Sequence, residues 1–334
     1  MPGPGLPPAA FYCVSDARYF LGAVGMLNSL RLLGHLEPVY LLDCGLTPHQ
    51  RELLEPHATL VPAPSAAPPW LLKTVAPLRH PAEVMVLIDA DIVATRSLAE
   101  LIERAAEPRV IAIANDTDRF VPEWGELLGL GKVRRQPYLS SGLVFLGHPV
   151  GEEVLRLMAE LQDRVDFDRT FWRANVPDYP FLYGDQDVLN AILASRTDRE
   201  RVTALPNRLV PNPPFKGLRV IDEAALRCAY RDGTEPYALH NFYRKPWLAP
   251  TRSSQYSRLL TRLLLAPDVR LRLERRELPL RLRTGAAARL ARLTVDFVVG
   301  VPAYVHRRLK PGPRGSKGWA DERWLMRDRR RSER

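Results

Sequence analysis

Two carboxylates with one spacer, Asp89-Ala90-Asp91, follow five apolar residues, Val84-Met85-Val86-Leu87-Ile88. An unbroken apolar run of this length reads as a strand covered on both faces of a parallel sheet. Ligands bind such sheets outside the carboxyl ends of the strands. Residues i and i+2 of an extended segment point the same way, so both carboxylates are expected to face one cation. Hard oxygen ligands suit Mn2+ or Mg2+, ions that share their coordination shell with substrate phosphates. The chemistry this predicts is neutralisation of the charge that develops on a diphosphate leaving group.

The same residues fit a second chemistry. An apolar strand followed by Asp-x-Asp-x-Val also resembles the haloacid-dehalogenase-like phosphatases, in which the first Asp is the nucleophile. That pattern usually opens its domain, whereas here two or three strand–helix units precede it.

The elements that must position Asp89 and Asp91 are legible as alternating patterns. Phe11–Val14 reads as a strand and 19–33 as a helix, with Leu21, Val24, Leu27 and Leu30 at helical spacing and Gly34 as the stop. Val39–Leu42 reads as a strand. Thr47 as N-cap and Pro48 at the first helical position start a helix to about Glu55. Thr59–Val61, Val84–Ile88, Val110–Ala114 and Gly142–Gly147 are further strands. Helices are expected over 71–78, 98–106, 152–164 and 188–195. Alternation of this kind predicts a doubly wound α/β sheet. Asp118–Pro137, with Gly125, Gly129 and Gly131, reads as a mobile loop over the site.

Taken in order, these motifs resemble the family 8 glycosyltransferases, the glycogenin and lipopolysaccharide-galactosyltransferase group. The resemblance runs over about 11–250. It rests on Ser15-Asp16-Ala17-Arg18-Tyr19, Asn28-Ser29-Leu30, Val39–Thr47, Asp89-Ala90-Asp91, Tyr138–Gly142, Asp185-Gln186-Asp187-Val188-Leu189-Asn190, and His240 with Lys245-Pro246-Trp247. It implies a GT-A fold, a mixed sheet flanked by helices. It implies transfer of a hexosyl group from a UDP-sugar, with retention of anomeric configuration. It assigns Asp89, Asp91 and His240 to manganese, Asp16 and Tyr19 to the nucleoside, and Lys245 to the diphosphate. Lys73 falls where the family often has an Arg near the donor, and Asp185 and Gln186 fall beside the donor sugar. Ser140-Ser141-Gly142 stands where the family has Asn-x-Gly, so a serine hydroxyl replaces a longer amide at the donor contact. His240 to Lys245 is one residue shorter than the family's His-x-x-Gly-x-x-Lys and lacks its Gly, which predicts a rebuilt loop. These two departures also motivate a third reading, an inactive relative that binds nucleotide or membrane.

Other roles stand beside these. Asp185 reads equally as the cap of the following helix. Phe167, Phe171, Trp172, Tyr179 and Phe181 read as the core of an irregular connection or as an acceptor surface.

The chain has 334 residues and a formal net charge of +10, with 46% hydrophobic and 26% charged residues. The charge is uneven. Residues 251–334 hold 22 Lys and Arg against 8 Asp and Glu, whereas residues 1–250 hold 26 against 30. The body is therefore slightly acidic, and no nucleic-acid module or stacking pattern is present, which argues against a nucleic-acid partner. The three cysteines, Cys13, Cys44 and Cys228, lack zinc or redox spacing and suit a reducing compartment. Residues 1–10 read as a disordered tail without the basic and apolar segments of a signal peptide, so a cytoplasmic location is expected. Residues 251–334 read as a basic amphipathic helical extension and tail. Within it Leu293–Val305, flanked by Arg289, Arg292, Arg307 and Arg308, suits an anionic membrane surface, probed peripherally rather than spanned. The expected partners are thus a nucleotide-sugar donor, a glycan, lipid-linked or protein acceptor, and that membrane surface.

Overall fold

A computed structural model describes residues 5–309, apart from 66, 250 and 252, and without the side chains of 299–309. The polar tail expected from Pro311, and the side chains of Arg307 and Arg308, lie outside the described residues.

Seven strands form one sheet. They are β1 (Ala9–Ser15), β2 (Val39–Asp43), β3 (Thr59–Pro62), β4 (Val84–Ile88), β6 (Val110–Ala114), β7 (Leu139–Gly147) and β8 (Val202–Leu205), in the order β3-β2-β1-β4-β7-β6-β8. Strands β3, β2, β1 and β4 are parallel, and β7 runs antiparallel to both β4 and β6. The sheet is therefore mixed. Among the described residues two small antiparallel pairs complete the strands: β5 (Ile92–Ala94) with β11 (Ala238–His240), and β9 (Arg219–Asp222) with β10 (Arg227–Ala229).

Helices cover both faces. They are α1 (Phe20–Leu32), α2 (Pro48–Leu54), α3 (Val75–Arg79), α4 (Ala99–Ala105), α5 (Trp124–Leu127), α6 (Val150–Leu161), α7 (Asp185–Ser195), α8 (Gln255–Leu265) and α9 (Ala286–Leu309). Strand alternation separates two cores. Phe11, Cys13, Val84, Val86 and Ile88 join α1 and α8 on one face, and Tyr12, Met85 and Leu87 join α6 and α7 on the other. Every residue of β4 is buried, as its unbroken apolar run requires. Helix α2 starts in a reciprocal cap between Thr47 and Gln50, with Pro48 at its first position.

Several expectations are corrected. The first strand begins at Ala9, and Pro7 and Pro8 accept hydrogen bonds from Glu83 and Val84, so residues 7–10 belong to the start of an interior strand and are not a free tail. The segment 71–78 splits into a 3-10 turn, Pro69–Leu72, and α3. The segment 118–137 is anchored: Trp124 is 2% exposed, and Arg134 donates to the backbone of α7 and Thr197. Helix α8 packs through Tyr256, Leu259, Leu260, Leu263 and Leu264 into the core shared with α1. Buried Asn28 seals that contact by donating to the carbonyls of Leu263 and Leu271 and accepting from Leu271 N–H.

Candidate active site

The site is built where β4 ends. Asp89 N–H donates to Gly142 O at 2.8 Å, the last rung of the β4–β7 pairing. The chain then turns through Ala90 and Asp91, closed by Ile92 N–H on Asp89 O at 3.0 Å, and enters β5. The two carboxylates therefore converge across a turn and not along an extended strand, which corrects the i, i+2 argument but keeps its result. Strand β11 lies antiparallel to β5 with His240 opposite Ile92, and this register brings the imidazole to the carboxylates. His240 Nε2 lies 3.3 Å from Asp91 Oδ1 and 3.9 Å from Asp89 Oδ2. One ligand atom from each of Asp89, Asp91 and His240 falls within 4.8 Å of the others.

Glycines make this approach feasible. A Cβ at Gly142 would sit 2.6 Å from His240 Cε1 and 3.1 Å from Asp89 Oδ2. At Gly22 it would sit 2.4 Å from Ala90 O, so α1 can press against the turn only without a side chain there.

Two lysines face the carboxylates. Lys73 Nζ is 2.8 Å from Asp89 Oδ1 and 3.1 Å from Asp185 Oδ2. Lys245 pairs with Asp91 Oδ2 and donates to Asn241 O at 2.7 Å. The shortened 240–245 loop thus still delivers its lysine, held by Asn241 N–H on Asp91 O and by Asn241 Nδ2 on Arg244 O. Burial works against the charge on Lys73, but Asp185 and Asp89 reverse that and hold its pKa above the ordinary value. Burial raises the Asp89 carboxyl, and the neighbouring Asp91 charge adds to this against Lys73. Burial would raise Asp91 too, yet Lys245 and His240 hold it well below the ordinary carboxylate range.

This donor set fits a divalent cation. Asp91 Oδ1 is buried and receives no hydrogen bond despite the nearby imidazole, so one acceptor is left for an ion. The two carboxylates offer hard oxygen ligands and the imidazole a nitrogen ligand to such an ion.

The remaining residues group around this centre. Asp185 is the first residue of α7 and not its cap; the cap position is Gly184, with φ +57°, packed against the Trp70 ring. Its carboxylate, 6% exposed, is turned to Lys73. Gln186 Oε1 accepts from Ser141 N–H at 3.2 Å, tying α7 to the start of β7. Ser140 Oγ accepts from Gly142 N–H at 3.2 Å within β7, whereas the neighbouring Ser141 presents its carbonyl and hydroxyl to Lys73 at 3.4 Å. Asp16 accepts from Arg18 and Tyr19 N–H, which fixes the entry to α1 at the carboxyl end of β1. The Tyr19 ring meets Trp247 edge-on at 6.1 Å and lies 5.6 Å from Lys245 Nζ.

Beneath α7 lies a buried clamp that sequence reasoning missed. Asp187, fully buried, accepts from Arg119 Nε at 2.7 Å, Arg119 Nη2 at 3.0 Å and Tyr138 Oη at 2.6 Å. Arg119 also reaches Pro180 O. Asn190 bridges Leu139 and Gln186. Together they fix the first turn of α7, and with it Asp185 and Gln186, over β7.

No family model and no curated protein sequence matches the chain. Among solved structures it is similar to an active-site mutant of LgtC, at 14% identity over 79% of this chain and 98% of that one, with a TM-score of 0.51. It is also similar to galactosyltransferase LgtC in complex with donor and acceptor sugar analogues, at 14% identity over 78% and 98%, TM-score 0.49. A further likeness is to the apo WbbM bifunctional glycosyltransferase, at 15% identity over 80% of this chain and 51% of that one, TM-score 0.49. The chain therefore has the mixed-sheet GT-A fold, shared with LgtC along nearly that protein's whole length.

Proposed function

We propose that the protein is a metal-dependent glycosyltransferase of the family 8 type, moving a hexosyl group from a UDP-sugar to a hydroxyl acceptor with retention. The observation that carries this reading is the Asp89–Asp91–His240 set at the carboxyl edge of β4, flanked by Lys73 and Lys245 in a GT-A fold. A divalent cation held by Asp89, Asp91 and His240, Mn2+ in the first place, would neutralise charge on the departing diphosphate.

The chain's own residues do the rest. Lys245 and Lys73, one on each side of the carboxylate pair, offer ammonium groups to a diphosphate. Tyr19 and Asp16, at the end of the neighbouring strand β1, are assigned to the nucleoside. Asp185 and Gln186 are assigned to the donor sugar, with Lys73 orienting the Asp185 carboxylate. Gly142 gives room for the metal ligands, and Ser140 holds the Gly142 backbone through its hydroxyl.

The likeness to LgtC, whose solved complex holds donor and acceptor sugar analogues, supports a sugar donor and a glycan acceptor in preference to the phosphatase chemistry. Turnover is the test. Purified protein with Mn2+ is expected to release UDP from at least one common UDP-hexose, and Asp91→Asn to lower that rate at least about a hundredfold, since removing an electrostatic partner of the transition state costs about 10²–10³ in rate. Hydrolysis of a generic phosphate ester without any nucleotide-sugar turnover would move the assignment to the phosphatase. Nucleotide binding with no turnover would leave an inactive relative.

A membrane surface is proposed as a second contact. Leu290, Leu293, Phe297 and Val298 are 57–71% exposed at helical spacing on α9, in the basic C-terminal quarter of the chain. Among the described residues no helix is long and apolar enough to cross a membrane. An exposed apolar stripe on a basic helix suits the interface of an anionic bilayer.

A further inference from the structure

The segment 166–183 carries aromatics that the fold sorts into two groups. Tyr179 and Phe181 are 5% and 4% exposed and belong to the core under α7. Phe167, Phe171, Trp172 and Tyr183 are only half-buried. These four and two half-buried aromatics from elsewhere, Trp70 and Phe242, form an arc of two separate groups of ring contacts. Phe242 meets Trp172 at 6.3 Å, Trp172 meets Phe171 at 5.1 Å, and Phe171 meets Tyr183 at 5.8 Å. Past Gly184, Trp70 meets Phe167 at 5.5 Å.

Both ends of the arc abut the candidate site. Phe242 stands 5.9 Å from the His240 ring, ring to ring. Trp70 packs on Gly184, immediately before Asp185, and a Cβ there would fall 2.4 Å from the indole. The base of the arc is pinned. Pro180 O accepts from Trp124 Nε1 at 2.8 Å and from Arg119 Nη2 at 2.7 Å, and Phe171 N–H donates to Leu182 O at 2.8 Å. Half-buried rings on a fixed backbone form a preorganised surface, which lowers the ordering cost of binding.

We propose that this aromatic arc is the acceptor subsite and that it takes a neutral hexopyranoside. The inference rests on the glycosyltransferase reading above. A pyranose ring carries an apolar C–H face and a hydroxyl rim. Stacked on Trp172 and flanked by the Phe242 ring, which stands at 89° to the indole, it would direct a hydroxyl into the space between His240 and Asp185, where the donor sugar is assigned. The charge of the segment favours a neutral sugar. Residues 166–183 carry Asp166, Asp168 and Asp178 against Arg169 and Arg173, and both guanidinium groups are stacked on rings, over Tyr179 at 4.5 Å and Phe167 at 4.8 Å.

The test uses the full chain with saturating Mn2+ and UDP, and methyl α- and β-hexopyranosides of glucose, galactose and mannose as probes. Binding is read by saturation-transfer NMR, and UDP binding by calorimetry on the same samples. At least one glycoside is expected to bind the wild type. Trp172→Ala is expected to weaken it roughly tenfold or more, the loss typical of an aromatic anchor, with UDP affinity changed less than about twofold. Trp172→Phe should retain most of the binding, because it keeps an aromatic face. Phe242→Leu probes the other side of the same contact should Trp172→Ala fail to fold. Glycoside binding unchanged in Trp172→Ala or Phe242→Leu, or no glycoside binding to a wild type that binds UDP, would overturn the subsite and leave the transferase reading standing. A wild type that fails to bind UDP would remove both.

Discussion

At the residue scale the site depends on groups that hold the ligands as much as on the ligands. Gly142 is the clearest case, because its missing side chain is the space that the His240 ring and the Asp89 carboxylate occupy. Gly142→Ala is expected to weaken Mn2+ binding by about 10–100-fold, the usual cost of disturbing the residues that orient metal ligands. Calorimetric titration with Mn2+ in the presence of UDP checks this. Asp187 is the second case. It is fully buried and satisfies Arg119 and Tyr138, so Asp187→Ala leaves a mostly buried guanidinium, 15% exposed, without its carboxylate. A loss of about 3–5 kcal/mol in unfolding free energy is expected, measured by urea denaturation. The pairing of Asp89 with Asp91 was legible in sequence because the Asp-x-Asp follows a buried strand, whereas His240, which lies with them, was indicated only by the family resemblance. The role of Asp187 was not legible, since nothing local pairs it with Arg119, 68 residues away. Ser141, and not Ser140, reaches Lys73, a choice fixed by the pleat of β7 that spacing alone does not set.

At the element scale the strands and most helices follow from periodicity, and their partners do not. The apolar run of β7 announces burial, but its antiparallel placement between β4 and β6 depends on the path of the chain and not on its composition. The same holds for β11, whose three residues carry His240 to the site only through pairing with β5. Helix α8 is the instructive miss. Its arginines suggested a surface extension, yet Tyr256, Leu259, Leu260, Leu263 and Leu264 form an apolar stripe at helical spacing that closes the α1 face of the sheet. Removing 251–334 is therefore expected to expose that stripe's docking face and to yield aggregated protein. A chain ending at Gly285 should keep a cooperative unfolding transition close to the full-length one. Size-exclusion chromatography and thermal unfolding of the two truncations decide this, and a monomeric, cooperatively folded 1–250 fragment would contradict the role given to α8.

At the scale of the whole molecule, charge and chemistry are segregated. The basic surplus lies beyond residue 250, and the site lies in the slightly acidic body. The chain ending at Gly285 separates the two: it should keep nucleotide binding and lose co-sedimentation with anionic phosphatidylserine vesicles at low salt, and equal sedimentation would remove the membrane contact. The central claim is that Asp89, Asp91 and His240 unite a divalent metal with a uridine diphosphate. It is tested most directly by thermal unfolding with UDP, with and without Mn2+, for the wild type and Asp91→Asn. At about 100 times its dissociation constant a ligand stabilises the native state by about 2.7 kcal/mol. For a chain of this size that is a shift of several degrees. The account predicts a shift that needs both Mn2+ and UDP and disappears in Asp91→Asn; a shift that is independent of Mn2+ or unchanged in the variant, or no shift in the wild type, would contradict it.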